Sequence, residues 1–125
     1  MERYMLVRQQ LLELTDTMAD AVRYLEARLL AGNEVEQIKG MLVNITEALY
    51  EVEKAMQPLR ASLPGNRVYE FQEQLKRDLQ EILTLWQQQE EELLHTKISG
   101  QFVPHFWLWQ EEVGQCMTTE EVQHG

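Results

Sequence analysis

Apolar residues recur every three or four positions along most of the chain, the spacing that gathers them on one face of an α-helix. In the first segment Tyr4, Val7, Leu11, Leu14, Met18, Ala21 and Leu25 form such a seam, with Arg8, Glu13, Asp16, Asp20, Arg23 and Glu26 outside it. The pattern predicts a helix over about 3–31. Gly32 tolerates a left-handed stop, and Asn33 with Glu36 three residues later has the spacing of a capping box for the next helix.

The second seam is the most regular: Val35, Ile38, Leu42, Ile45, Leu49, Val52, Met56, Leu59 and Leu63 keep the rhythm without a miss. Pro58 falls inside it, where it removes a backbone hydrogen bond and crowds the preceding turn. Because the seam continues beyond the proline, the expectation is a helix over about 34–62 kinked near Pro58. Ser62-Leu63-Pro64-Gly65-Asn66 reads as its end, with Pro-Gly as the turn and Asn66 as the next cap.

A third helix is predicted over about 67–97, with Val68, Phe71, Leu75, Leu79, Ile82, Trp86 and Leu93 on its seam. Gln89 interrupts that seam beside Glu90-Glu91-Glu92, and Ser99-Gly100 closes the segment. A shorter helix over about 104–117 starts at Pro104, a residue suited to a first helical position, and residues 118–125 read as a tail. Short connections between long helices favour antiparallel neighbours. The expected fold is therefore all-α, a single domain over 1–125: an antiparallel bundle of three long helices closed by a shorter C-terminal one.

Composition narrows the function classes. The chain of 125 residues carries 21 acidic and 11 basic side chains, a formal charge of −10, and a charge of that sign is repelled by nucleic acid and by anionic membrane. Neither is expected as a partner. The hydrophobic share of 44% is too high for a disordered chain. Cys116 is the only cysteine, so no intramolecular disulfide forms, and its acidic neighbours Glu111, Glu112, Glu120 and Glu121 disfavour a reactive thiolate. The N-terminus has mixed charges, and no later stretch is long enough to span a bilayer, so a cytoplasmic location is the default expectation.

Candidate chemistry is sparse. A carboxylate-bridged dimetal bundle uses Glu-x-x-His pairs pointing inward from its helices. Glu92-Leu-Leu-His95 has that spacing, as does Glu121-Val-Gln-His124 at the C-terminus, but the seams of the first two helices offer no carboxylate to complete a site. Glu92 and His95 are weak metal candidates on these grounds, and no metal or cofactor is expected. Glu70-x-x-Glu73 and Glu13-x-x-Asp16 stand in the reverse order of the all-α pyrophosphohydrolase pattern and off the seams. No phosphate-binding, dinucleotide-binding or nucleophile-elbow motif occurs, so the expectation is a protein that is not an enzyme.

The unusual stretch runs from Phe102 to Trp109 and holds four of the ten aromatic residues. Phe102, Phe106, Trp109 and Val113 share one helical face, widened by Val103, Trp107 and Met117, while Leu108 points elsewhere beside Glu111, Glu112 and Gln115. Two readings compete. In one the segment closes the bundle; in the other Phe102, Phe106, Trp107, Leu108, Trp109 and Val113 are at least partly a docking surface, aromatic residues being enriched at interface cores. Closure is preferred. The charge sits in the same place: residues 90–125 carry seven acids and only Lys97, a net of −6.

These features point to a protein-protein interaction module, with a structural or regulatory homodimer as the alternative. In size, charge and architecture the chain is similar to the export chaperones of flagellar and type III secretion systems, a likeness of class and not of any run of residues. A partner would then be an amphipathic helix, basic in one version, lying in a hydrophobic groove.

Overall fold

A computed structural model of the chain describes residues 2–32, 35–58 and 67–124, with side chains from Met5 to Cys116 other than those of residues 35 and 36. The protein is an all-α helical bundle. Its elements are α1 (Glu2–Leu30), α2 (Val35–Met56), α3 (Val68–Gln87), α4 (Glu91–Lys97), a π-helical segment (Ile98–Phe102) and α5 (Val103–His124). Among the described residues no helix is long and apolar enough to cross a membrane.

The first two helices follow their seams. Gly32 has φ +72°, the left-handed stop expected after α1, and the last turn tightens through Gly32 N donating to Leu29 O at 3.2 Å. In α2 Ile38, Leu42, Ile45, Leu49, Val52 and Met56 are all buried. In α1 the buried line is Leu11, Thr15, Met18, Val22, Leu25 and Leu29, flanked by half-buried Val7, Leu14 and Ala21. That stripe is wide because α1 packs against both α2 and α5. The α-helix of α2 ends at Met56 instead of running through Pro58, and Gln57-Pro58 form a 3₁₀ turn. Proline cannot donate the bond that would extend the α-helix there. The expected continuation through Leu59 and Leu63, the turn at 62–66, and the caps at Asn33, Glu36 and Asn66 lie outside the described residues.

The expected continuous helix over 67–97 is in fact two. Gln89 has φ +59° and breaks the chain between α3 and α4. Gln89 N donates to Trp86 O and Glu90 N to Leu85 O, each at 3.1 Å, the paired bonds of a Schellman stop with glutamine where glycine is usual. Glu91 and Glu92 then occupy the first turn of α4, where carboxylates meet the positive end of the helix dipole.

Conversely, Ser99-Gly100 does not end the third segment. The backbone passes through the π-helical segment directly into α5, with Val103 N donating to Ile98 O. This widening accommodates Pro104, which has no N–H for Gly100 and whose ring would crowd that carbonyl in a regular α-helix. It also corrects the phase of the buried line Leu94, Ile98, Phe102, Phe106. Three steps of four residues overrun three α-turns by about 1.2 residues, close to the single residue a π insertion absorbs. The backbone of α5 stays helical to His124, so residues 118–124 are not the expected irregular tail; no glycine or proline interrupts them.

Successive long helices run antiparallel. Tyr69 OH of α3 donates to Met56 O of α2 at 3.2 Å, Lys76 pairs with Glu53 at 3.3 Å, and Lys39 lies over Trp86. Along α3 and α5, Arg67 N donates to Glu112 Oε1 at 3.1 Å and His105 meets Asp78. The α5 helix thus packs against both α1 and α3, whereas the α2 and α3 backbones stay apart along most of their length.

Candidate functional site

The aromatic segment turns inward. Phe102 is 1% exposed and Phe106, Trp109 and Val113 are fully buried. The Phe106 ring lies 5.2 Å from that of Trp107 and 5.7 Å from that of Trp109, within the range of favourable aromatic pairs. For these four residues the docking reading is corrected to closure, because α5 sits between α1 and α3 and its broad apolar face is covered from both sides. Trp107 is half-buried, with the Arg23 guanidinium 5.3 Å from its ring centroid. Leu108 alone of the six remains substantially exposed. Cys116 is partly buried against the core.

The weak metal candidates are not brought into a cluster. Glu92 is exposed and His95 half-buried on α4. Among the described residues no group of three or more His, Cys, Asp or Glu side chains is placed to hold a metal ion. The side chains of Glu121 and His124 lie outside those residues. Glu13, Asp16, Glu70 and Glu73 are all exposed.

The structure joins two residues that the sequence did not. Asp78 of α3 is completely buried, and its Oδ2 lies 2.6 Å from Nδ1 of His105 on α5. Gln74 Nε2 donates to the other oxygen at 3.1 Å. One helical turn away, Lys97 bonds both Glu81 and Gln101. The α3–α5 contact is therefore partly polar, and the buried residues of α3 as a whole are Val68, Gln72, Leu75, Asp78 and Ile82. Only the position of Asp78 between Leu75 and Ile82, at helical spacing from both, signalled this in the sequence.

With Asp78 turned toward α5, the edge of α3 that carries Leu79, Leu83 and Trp86 faces α2. Between the two helices lies an apolar groove of about 310 Å³. Its floor is Leu42, Leu49 and Ile82, all buried. Val43 and Tyr50 on α2 and Leu83 on α3 form its walls and are 48%, 52% and 55% exposed, with Leu79 and Trp86 half-buried between them. The Thr46 hydroxyl is committed to Leu42 O at 2.8 Å, so it offers the groove little polarity.

Both ends of the groove are held. At one, Tyr69 and Lys76 tie α3 to α2. Burial lowers the Lys76 pKa, but hydrogen bonds and charge from Glu53 and Glu73 outweigh it and leave the ammonium more firmly protonated than an ordinary lysine. At the other, the Lys39 ammonium sits 5.8 Å from the Trp86 ring centroid. Such a cation over an aromatic face keeps the indole in place without closing the cleft.

Fold and site together define a small helical bundle with a closed aromatic core and a pinned, open apolar groove among the described residues. The chain belongs to the family of the domain of unknown function DUF8042, whose pattern matches residues 7–112 and so takes in the groove, the Asp78–His105 pair and the aromatic segment. No curated protein matches the chain. No solved structure matches it either.

Proposed function

We propose that this protein works by binding and not by catalysis, and that the α2–α3 groove receives the apolar ridge of an amphipathic helix. The observation that carries the reading is the contiguity of exposed Val43, Tyr50 and Leu83 around a pinned cleft. Scattered apolar side chains are ordinary on a surface, whereas a lined groove fits residues at i, i+3 or i+4 and i+7 of a docked helix. An adaptor or export-chaperone-like role uses the same chemistry, with the groove covering a helix that its owner would otherwise expose. A cytoplasmic setting belongs to this proposal, and a chain with a single cysteine is compatible with it.

The groove also revises the partner's expected charge. Lys39, Lys76 and Glu47 line it, a net positive charge within a chain of −10, so a strongly basic helix gains nothing from the lining itself. The test is a synthetic amphipathic helical peptide with leucines at i, i+4, i+7 and i+11, titrated into dilute protein and read by Trp86 emission. Trp86→Phe serves as the spectral control for Trp107 and Trp109. Saturable binding that Leu83→Glu abolishes, with the helical content unchanged, is the expected result. Equal binding by wild type and Leu83→Glu, or none by either, would refute the groove as the binding face.

A further inference from the structure

We infer that the natural occupant of the groove is a second copy of this chain, docked about a two-fold axis that passes beside Thr46. The inference rests on the groove being the interaction face and adds who fills it. Five residues of α2 on that side form a stripe at helical spacing: Lys39, Val43, Thr46, Tyr50 and Glu53. Its order is cation, apolar, small, apolar, anion. Laid antiparallel on itself with the crossing at Thr46, the stripe sets Lys39 against the partner copy's Glu53 and Val43 against its Tyr50, twice over.

A two-fold interface requires this kind of self-complementarity, because one patch must serve both sides. Thr46 is the smallest side chain of the five and marks where two helix backbones approach most closely. Glu53 is about one-third exposed while it holds Lys76, and its Oε2 is buried without a hydrogen-bond donor, so the carboxylate has an acceptor still unsatisfied.

Charge argues for the same occupant. Two copies carrying −10 each repel over most of their surface, so self-association needs a patch where charge cancels. The groove face supplies it: Lys39 and Lys76 balance Glu47 and Glu53. The size is adequate as well. The 22 residues of α2 run about 33 Å. With α3 alongside at the usual interhelical spacing, the face covers on the order of 600 Å² per copy, near the ~800 Å² per partner of a standard interface. One element opposes docking: Glu47 lies next to the crossing point, so the two copies of its carboxylate meet near the axis.

Sedimentation equilibrium of the full chain over a range of concentrations tests the proposal. The expected result is a concentration-dependent rise from 14.8 kDa toward twice that mass. Lys39→Glu, which sets like charges together opposite Glu53, and Tyr50→Glu, which sets a carboxylate against Val43, are both at exposed positions and should each weaken it about tenfold. Glu47→Gln should strengthen it about threefold by removing the repulsion at the axis. Register is read separately: in a Cys116→Ser background, Thr46→Cys should oxidise to a covalent dimer, and Glu13→Cys, on α1, should not.

A chain that stays monomeric while the leucine peptide still binds overturns the second copy and leaves the groove as a binding face. A dimer that persists in Tyr50→Glu and fails to cross-link through Thr46→Cys overturns the proposal in favour of another face. Absence of both self-association and peptide binding removes this inference and the reading beneath it.

Discussion

Replacing His105 by alanine isolates the energetics of the buried carboxylate. Asp78 has no exposed surface, and its side chain is held by His105 at 2.6 Å and Gln74 at 3.1 Å. In His105→Ala one oxygen keeps its neutral amide donor and the other faces the space left by the imidazole. Breaking a buried pair from one side typically costs ~3–5 kcal/mol. The lower end applies here, because the His105 side chain is 33% exposed and its removal lets water approach the carboxylate. The expectation is a loss of about 3 kcal/mol, out of a total that at this length falls roughly between 6 and 19 kcal/mol. With a urea m-value of about 2 kcal/mol/M, the midpoint should fall by about 1.5 M.

The assay is urea unfolding at neutral pH, followed by far-ultraviolet circular dichroism and tryptophan emission. The discriminating comparison repeats His105→Ala in an Asp78→Asn background, where residue 78 keeps its shape but not its charge. There the same substitution should cost only ~1 kcal/mol, the scale of a neutral hydrogen bond. Equal costs in the two backgrounds would show that the penalty is lost packing against α3, and would refute the buried-charge argument.

Two further perturbations address local structure. Gln89→Gly relieves a left-handed backbone that costs a side-chain-bearing residue ~1–2 kcal/mol, less the ~0.4–1 kcal/mol of unfolded-state entropy that glycine adds. Calorimetry should show a melting temperature higher by roughly 2–5 °C, and an unchanged or lower value would mean that Gln89 is held by something besides backbone geometry. The hydrogen bonds from Arg67, at 3.2 Å to each Glu70 oxygen, and then its charge hold the Glu70 carboxyl below the usual carboxylate range. The pair therefore stabilises the fold above the ordinary glutamate pKa, and that contribution is lost as pH falls through the lowered one. In a carbon-detected NMR titration Arg67→Ala should move the Glu70 midpoint upward, and no movement would contradict the pairing.

Periodicity made the helices legible, and α2 most of all, because one stripe of one helix meets one core. What it could not convey was the phase of α3 and of the last arm. The apolar residues of α3 spread over one broad face, from Phe71 and Ile82 at one edge through Leu75, Val68 and Trp86 to Leu79 and Leu83 at the other. A single seam drawn through that face hides which edge α5 covers. The break at Gln89 lacked the glycine or proline that usually announces one, and its trace was only a polar residue on the seam. The π-helical segment was written in the four-residue steps of Leu94, Ile98, Phe102 and Phe106, which a strict α-helix cannot keep in phase. As for the candidate site, the aromatic density at 102–109 was visible but reported on the core. The groove depends on how two helices are rotated, which one helix's pattern does not contain.

That rotation has a physical cause on the opposite side of α3. Turning α3 by one residue, about 100°, would bring Leu79 to the position of Asp78 and carry the groove stripe toward α5. Burial of apolar area alone favours such a turn, and so does the desolvation cost of a carboxylate. The Asp78–His105–Gln74 bonds are satisfied in only one of the two rotations, and Arg67 N on Glu112 fixes the start of the helix in the same one. Polar bonds on the covered side of α3 therefore decide what its uncovered side presents. Leu79, Leu83 and Trp86 remain at the groove because a buried charge, tied to the neighbouring helix, cannot follow them out.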